Sequence, residues 1–125
     1  MINYTFDDSG IFHVSMSDRI TLKDVKEYLI EFQNIENLPK ELLLLYDLQK
    51  AVLDFEIDEI VYLTELADKV TTKYSSIKTA FLVEGPKVTA YSFMFSNEKK
   101  IKSKERKVFS TKAAAVSWLK KNPNQ

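Results

Sequence analysis

The chain has 125 residues, of which 45% are hydrophobic and 29% charged, a composition that fits one soluble globular domain and leaves no room for a second. It contains no cysteine, which excludes disulfides, thiolate metal sites and a cysteine nucleophile, and which favours a cytoplasmic location. Its 18 basic and 18 acidic side chains balance, no stretch approaches the roughly 20 apolar residues of a membrane span, and the first residues lack the features of a signal peptide.

Two short stretches of alternating polarity open the chain. Residues 2–6 and 11–16 place apolar side chains at every second position, which is typical of β-strands. Residues 7–10 between them consist of two Asp, one Ser and one Gly, and therefore have the composition of a turn. The pattern predicts an antiparallel hairpin.

Four later stretches have the apolar spacing of helices. The first begins at Thr21, with Asp24 three residues later, close to a capping box. The second covers residues 57–73, the third residues 86–97, and the last follows Thr111. The side chains expected to face inward are Leu22, Val25, Leu29 and Phe32 in the first helix, Ile57, Ile60, Leu63 or Thr64, Ala67 and Val70 in the second, and Ala114, Ala115, Trp118 and Leu119 in the last.

Three further strands are predicted between these helices, and the first of them organises the fold. Residues 42–48 read LLLLYDL, and four consecutive leucines leave no polar face, as in a strand that is buried on both sides. Residues 78–83 and 107–109 are the other two strands. Strands that alternate with helices imply parallel pairing of the last four strands. The predicted fold class is α/β: one domain over residues 1–125, in the order β-β-α-β-α-β-α-β-α, with a mostly parallel mixed five-stranded sheet covered by four helices.

Two stretches carry a resemblance to a known family. One is the end of the chain, residues 108–119, which read VFSTKAAAVSWL, and the other is residues 78–83 followed by the aromatic residues 91–95, which read YSFMF. With the leading hairpin, they make the chain resemble the STAS domain of anti-sigma-factor antagonists. The nearest group is that of stage II sporulation protein AA (SpoIIAA), which also resembles the Sec14 lipid-carrier core. The resemblance implies a non-catalytic binding or regulatory module that acts through protein–protein contact.

The segment after the leucine-rich strand departs from that family. Phosphorylation-controlled antagonists carry a regulatory serine there, in an Asp-Ser-Ser-Gly setting. Residues 47–57 of this chain contain no Ser, Thr or Gly, and the acidic side chains around them would repel a phosphate. We therefore do not expect a phosphorylation switch at this position.

The carboxyl edge of the predicted sheet holds most of the candidate binding residues, because open α/β sheets place their sites there. Asp47 is a candidate ligand-binding or general-base carboxylate, although we favour a cap for a loop amide. Lys50 follows it. Gly85 and Lys87 lie at the amino end of the third helix beside the same edge, where they could form a weak anion-binding site. We predict that these four residues contact a ligand or partner.

Catalysis would require a different set of residues. His13 is the only histidine, and in the middle of a strand it is typically an ordinary sheet residue. We therefore predict no catalytic residue, no metal site and no cofactor. An enzyme that uses Asp47 or His13 is the third alternative, after a protein-binding module and a carrier of a small apolar ligand.

Outward apolar residues on the second and third helices predict a homodimer. Tyr62 and Leu66 lie on the flank of the second helix, and Phe93 lies off the inward stripe of the third. If the two helices are adjacent, these three side chains form one patch, and a two-fold dimer would cover it. The alternatives are another protein, neighbouring elements of the same chain, or an apolar ligand.

Opposite charges are separated along the chain. Residues 1–68 carry 5 basic and 15 acidic side chains, a net charge of −10, whereas residues 69–125 carry 13 basic and 3 acidic ones, a net charge of +10. The densest basic run covers residues 99–107. It has no aromatic residue, and the acidic half would repel a polyanion, so we interpret the run as a solvated connection and predict no nucleic-acid binding.

Overall fold

A computed structural model describes residues 1–98 and 103–121, and its elements follow the predicted order. The strands are β1 (Ile2–Phe6), β2 (Ile11–Thr21), β3 (Glu41–Asp54), β4 (Ser76–Leu82) and β5 (Lys104–Phe109). The helices are α1 (Leu22–Gln33), α2 (Glu59–Val70), α3 (Pro86–Glu98) and α4 (Lys112–Lys120).

The five strands form one mixed sheet in the order β1-β2-β3-β4-β5. β1 pairs with β2 in antiparallel fashion, and each later neighbour pairs in parallel. The hairpin and the parallel pairing of the last four strands are therefore confirmed, and with them the predicted α/β fold class.

The sheet is covered on both faces. α1, α2 and α3 pack side by side on one face, above the larger core, and α4 covers the other face. The leucine run serves both cores, because Leu42 and Leu44 are buried under the three helices and Leu45 is buried under α4. The prediction of a strand buried on both sides is confirmed.

β3 is longer than the sequence prediction, which ended it at residue 48 and expected a loop after it. Ser15 of β2 pairs with Asp47, but Ser17 pairs with Lys50, so two residues of β3 face one residue of β2 in a bulge. Beyond the bulge the strand continues to Asp54. Burial alternates there, with Ala51 and Leu53 buried and Lys50 and Val52 exposed, as expected for a strand that keeps one face on the core.

Local signals set most helix ends. Thr21 and Asp24 form the predicted capping box, with the Asp24 amide 3.2 Å from Thr21 Oγ1 and the Thr21 amide 2.9 Å from Asp24 Oδ2. The prediction that Ile57 and Ala114 face inward was wrong. Ile57 precedes α2 and is exposed. Ala114 of α4 is exposed to solvent, and Val116 packs against the core in its place. α4 is only nine residues long, so the stripe through Ala115 and Leu119 is enough to seat it.

Candidate functional site

A cavity of about 120 Å³ lies between the sheet and the layer formed by α1, α2 and α3. The side chains around it come from all three helices and from β2 to β5, and most of them are buried members of the larger core. The apolar part of the wall includes Leu29, Leu44, Phe55, Ile60, Leu63 and Phe81.

Two tyrosines place hydroxyl groups on the wall of the cavity. The oxygens of Tyr28 on α1 and Tyr46 on β3 lie 2.9 Å apart and share a hydrogen bond. Burial raises the pKa of Tyr46 to about 12, even though the bond to Tyr28 and the nearby Arg106 act in the opposite direction. Burial also raises the pKa of Tyr28, so both groups are neutral phenols at physiological pH.

Lys104 and Arg106 of β5 line the cavity, and both pair with Asp68 of α2. Arg106 Nη2 donates to Asp68 Oδ1 over 2.9 Å, and Lys104 Nζ lies 3.7 Å from the same oxygen and donates to the Asp68 carbonyl over 3.1 Å. The side chain of Arg106 is only 7% exposed, and those of Asp68 and Lys104 are 13% exposed. A cluster of charges this deeply buried is costly unless its members are paired or serve a ligand.

Two atoms of this cluster have no hydrogen-bond partner in the part of the chain that the structure describes. Arg106 Nη1 and Asp68 Oδ2 are buried and make no hydrogen bond within residues 1–98 and 103–121. An aromatic side chain holds the arginine in place, since its guanidinium carbon lies 4.7 Å from the centre of the Phe95 ring. Phe95 in turn packs edge-on against Phe81, which stacks on Tyr46. Arg106, Phe95, Phe81 and Tyr46 thus form one continuous set of contacts along this side of the wall.

The carboxyl edge of the sheet forms a second, open site. A groove of about 560 Å³ runs along this edge, and its lining residues are largely exposed, unlike those of the cavity. Gly85 and Phe93, both predicted contact residues, line it together with Gln49 and Glu84. The groove is larger than the cavity, but the cavity is the better ligand site because buried apolar walls remove a small molecule from water.

The other residues predicted at this edge do not join one anion site. Asp47 Oδ1 accepts from the Gln49 amide over 3.1 Å, which is the capping contact favoured from the sequence. Lys50 lies within β3 and is exposed. Lys87 Nζ lies 5.4 Å from the centre of the Tyr91 ring. A contact role for these residues stays a prediction.

The three apolar residues of the predicted dimer patch are not brought together. Tyr62 is 44% exposed and lies on the α1 side of α2, where Lys26 Nζ is 5.1 Å from the centre of its ring. Leu66 packs partly against the core. Phe93 is 51% exposed at the carboxyl-edge groove, beyond α2. α2 does contact α3, as expected, but each exposed ring lies on its own surface.

His13 lies beside the hairpin turn and is not placed for a catalytic relay. Its Nε2 is 3.4 Å from Ser9 Oγ and 3.9 Å from Asp7 Oδ2, so both contacts involve the same ring nitrogen. A relay needs the carboxylate on the other nitrogen, where it orients the imidazole toward the nucleophile.

The basic run is not simply a solvated connection. Residues 99–102, which include Lys99, Lys100 and Lys102, lie outside the described residues. Lys104 and Arg106, however, point inward from β5 and pair with Asp68, so that part of the interpretation was wrong. The strand alternates, with Glu105 and Lys107 exposed between and after them. The alternation of residues along β5 was the sequence signal that could have shown that Lys104 and Arg106 face inward. Alternation alone does not identify a buried ion pair, because the partner Asp68 lies in a distant segment.

Comparisons with known proteins agree with the fold. No protein-family model matches the chain, and no curated protein is significantly similar to it. The chain is similar to the crystal structure of an uncharacterised protein of the DUF3478 family with a SpoIIAA-like fold, from Shewanella loihica PV-4. The TM-score is 0.61 at 16% sequence identity, over 95% of this chain and 92% of the other. The predicted SpoIIAA-like fold is therefore confirmed.

Among residues 1–98 and 103–121, no helix is long and apolar enough to cross a membrane. Within the same ranges, no group of three or more His, Asp or Glu side chains is arranged to hold a metal ion.

Proposed function

We propose that the protein is a non-catalytic binding module, and that a small apolar molecule bound in the cavity between the sheet and α1, α2 and α3 is its ligand. The observation that carries the proposal is the cavity itself. A comparable empty volume of roughly 150 Å³ lined by Leu, Ile and Phe binds benzene in an engineered protein. The absence of cysteine supports a cytoplasmic location for this module.

An empty cavity destabilises a folded protein. At about 24 cal/mol per Å³, an enclosed void of this size that holds neither water nor ligand lowers the free energy of unfolding by about 3 kcal/mol. That is a large part of the ~5–15 kcal/mol that stabilises a typical domain. A ligand that fills the void recovers packing contacts that the side chains alone do not make.

A cavity-filling variant tests the proposal. Ala67 of α2 lines the cavity and is buried, so Ala67→Leu places extra carbon atoms where the ligand would lie. The matched control is Ala114→Leu, at an exposed site of α4 on the other face of the sheet. Thermal unfolding is measured for each protein with and without toluene, a neutral probe of suitable size.

We expect toluene to raise the melting temperature of the wild type and of Ala114→Leu by about 3–6 °C at ten times the dissociation constant. Ala67→Leu should show no shift, because the site is already occupied. The proposal fails if toluene leaves the wild type unchanged, or if Ala67→Leu responds as strongly as the control.

A second candidate function is protein–protein contact, including a homodimer. The observation in its favour is the exposed Phe93 ring beside the open groove, since exposed aromatic side chains are enriched at interfaces. Sedimentation equilibrium of the wild type and of Phe93→Glu tests it. A dimer that Phe93→Glu dissociates supports this interface, whereas a wild type that stays near 14.5 kDa at ~100 µM excludes all but very weak self-association.

A further inference from the structure

Arg106 is a buried cation with a donor that no described group satisfies. Its Nη2 bonds to Asp68, while its Nη1 has no partner among residues 1–98 and 103–121. A guanidinium keeps its charge inside a protein, so burial does not remove the need for an acceptor. Leaving a buried charged donor unpaired is unfavourable, and the Arg106 side chain is part of the cavity wall, so a ligand bound in the cavity would lie next to it.

The guanidinium is also fixed in position before any ligand arrives. Asp68 holds it from α2, the Phe95 ring lies beneath it on α3, and the backbone of Arg106 is paired with Thr79 of β4. A donor held on three sides loses little conformational entropy when it binds. The planar fork of arginine also matches the geometry of a carboxylate.

We propose that the cavity binds a small monocarboxylic acid, with its apolar body in the cavity and its carboxylate accepting a hydrogen bond from Arg106 Nη1. This rests on the proposed function and names the ligand class. The volume limits the apolar body to about the size of benzene. The negative charge of Asp68 beside the arginine favours a singly charged group over a doubly charged one such as a phosphate, because the repulsion grows with the charge of the ligand.

Isothermal titration calorimetry with three probes tests the proposal at pH 7. Benzoate carries the proposed carboxylate, benzamide has the same shape without the charge, and toluene reports on the apolar cavity alone. The variants are Arg106→Met, which removes the donor, and Lys107→Met, which removes one positive charge from an exposed site of β5. Lys107 contacts the Phe109 ring rather than the cavity, so it controls for a general loss of charge.

We expect wild type and Lys107→Met to bind benzoate at least tenfold more tightly than they bind benzamide, as for a charge-assisted hydrogen bond. Arg106→Met should lose this preference and still bind toluene. If Arg106→Met does not fold, the comparison of benzoate with benzamide on the wild type decides the matter.

The two proposals fail in different ways. Toluene binding without a preference for benzoate overturns the carboxylate and leaves the proposed function in place, which is the result expected if water satisfies Arg106 Nη1. Benzoate binding that Arg106→Met does not weaken also overturns it. If none of the probes binds, both proposals are wrong.

Discussion

Replacing Asp68 by Asn should be among the most destabilising single changes of a charged residue in this protein. The carboxylate is shared by Arg106 Nη2 at 2.9 Å and Lys104 Nζ at 3.7 Å, and none of the three side chains is more than 13% exposed. An amide keeps the shape but removes the charge, so Lys104 and Arg106 lose the carboxylate that they share. Removing one partner of a buried pair costs roughly 3–5 kcal/mol, and the residual exposure places this case at about 3 kcal/mol.

The reciprocal change is expected to cost less. Arg106→Met leaves Asp68 with Lys104 as a partner, so we expect a loss of about 1–2 kcal/mol. Urea unfolding followed by circular dichroism measures both losses, with Glu65→Gln at an exposed site of α2 as the matched control. The account of the cluster is refuted if Asp68→Asn is no more destabilising than Glu65→Gln, or if Arg106→Met costs more than Asp68→Asn.

Three further predictions concern other parts of the molecule. Asp47→Ala should cost about 1 kcal/mol in urea unfolding, as expected for a cap of the Gln49 amide, and a loss well beyond ~3 kcal/mol would indicate a charged network instead. The pKa of Tyr46 is about 12 in the folded protein against 10.0 for a free side chain, so the folded state binds this proton more tightly. This contribution to stability is complete below pH 10 and falls by about 2–3 kcal/mol as the pH rises towards 12. The free energy of unfolding should therefore decrease between pH 9 and pH 11.5, and it should decrease less for Tyr46→Phe than for the wild type. Double-stranded DNA should not bind tightly at physiological salt, because Lys104 and Arg106 face the interior, and a submicromolar dissociation constant with a steep salt dependence would contradict this.

The parts of the fold that follow from local pattern were predictable. The leucine run has no polar face and therefore had to be a strand buried on both sides, and Thr21 with Asp24 marked the start of α1. The continuation of β3 was missed because the bulge after Asp47 shifts the alternation by one residue, so the polar and apolar positions no longer match the first half of the strand.

The candidate site was less predictable because it depends on long-range contacts. Asp68 and Arg106 are 38 residues apart, and each looks like an ordinary surface charge in its own segment. Only the folded chain brings the Asp68 side chain of α2 to Arg106 of β5, and it leaves Arg106 Nη1 without a partner among the described residues. The cavity has the same origin, since its wall combines side chains from three helices and four strands. Sequence periodicity shows that such side chains face inward, but it does not show where their packing leaves a cavity.

The most direct test of the central claim is a crystal structure of the protein soaked with bromobenzene, recorded at the bromine absorption edge. Our account predicts an anomalous peak inside the cavity, between Leu44 of β3 and Ile60 and Leu63 of α2. The same soak of Ala67→Leu should give no peak there. A peak confined to the carboxyl-edge groove beside Phe93, or an empty cavity in the wild type, would contradict the account.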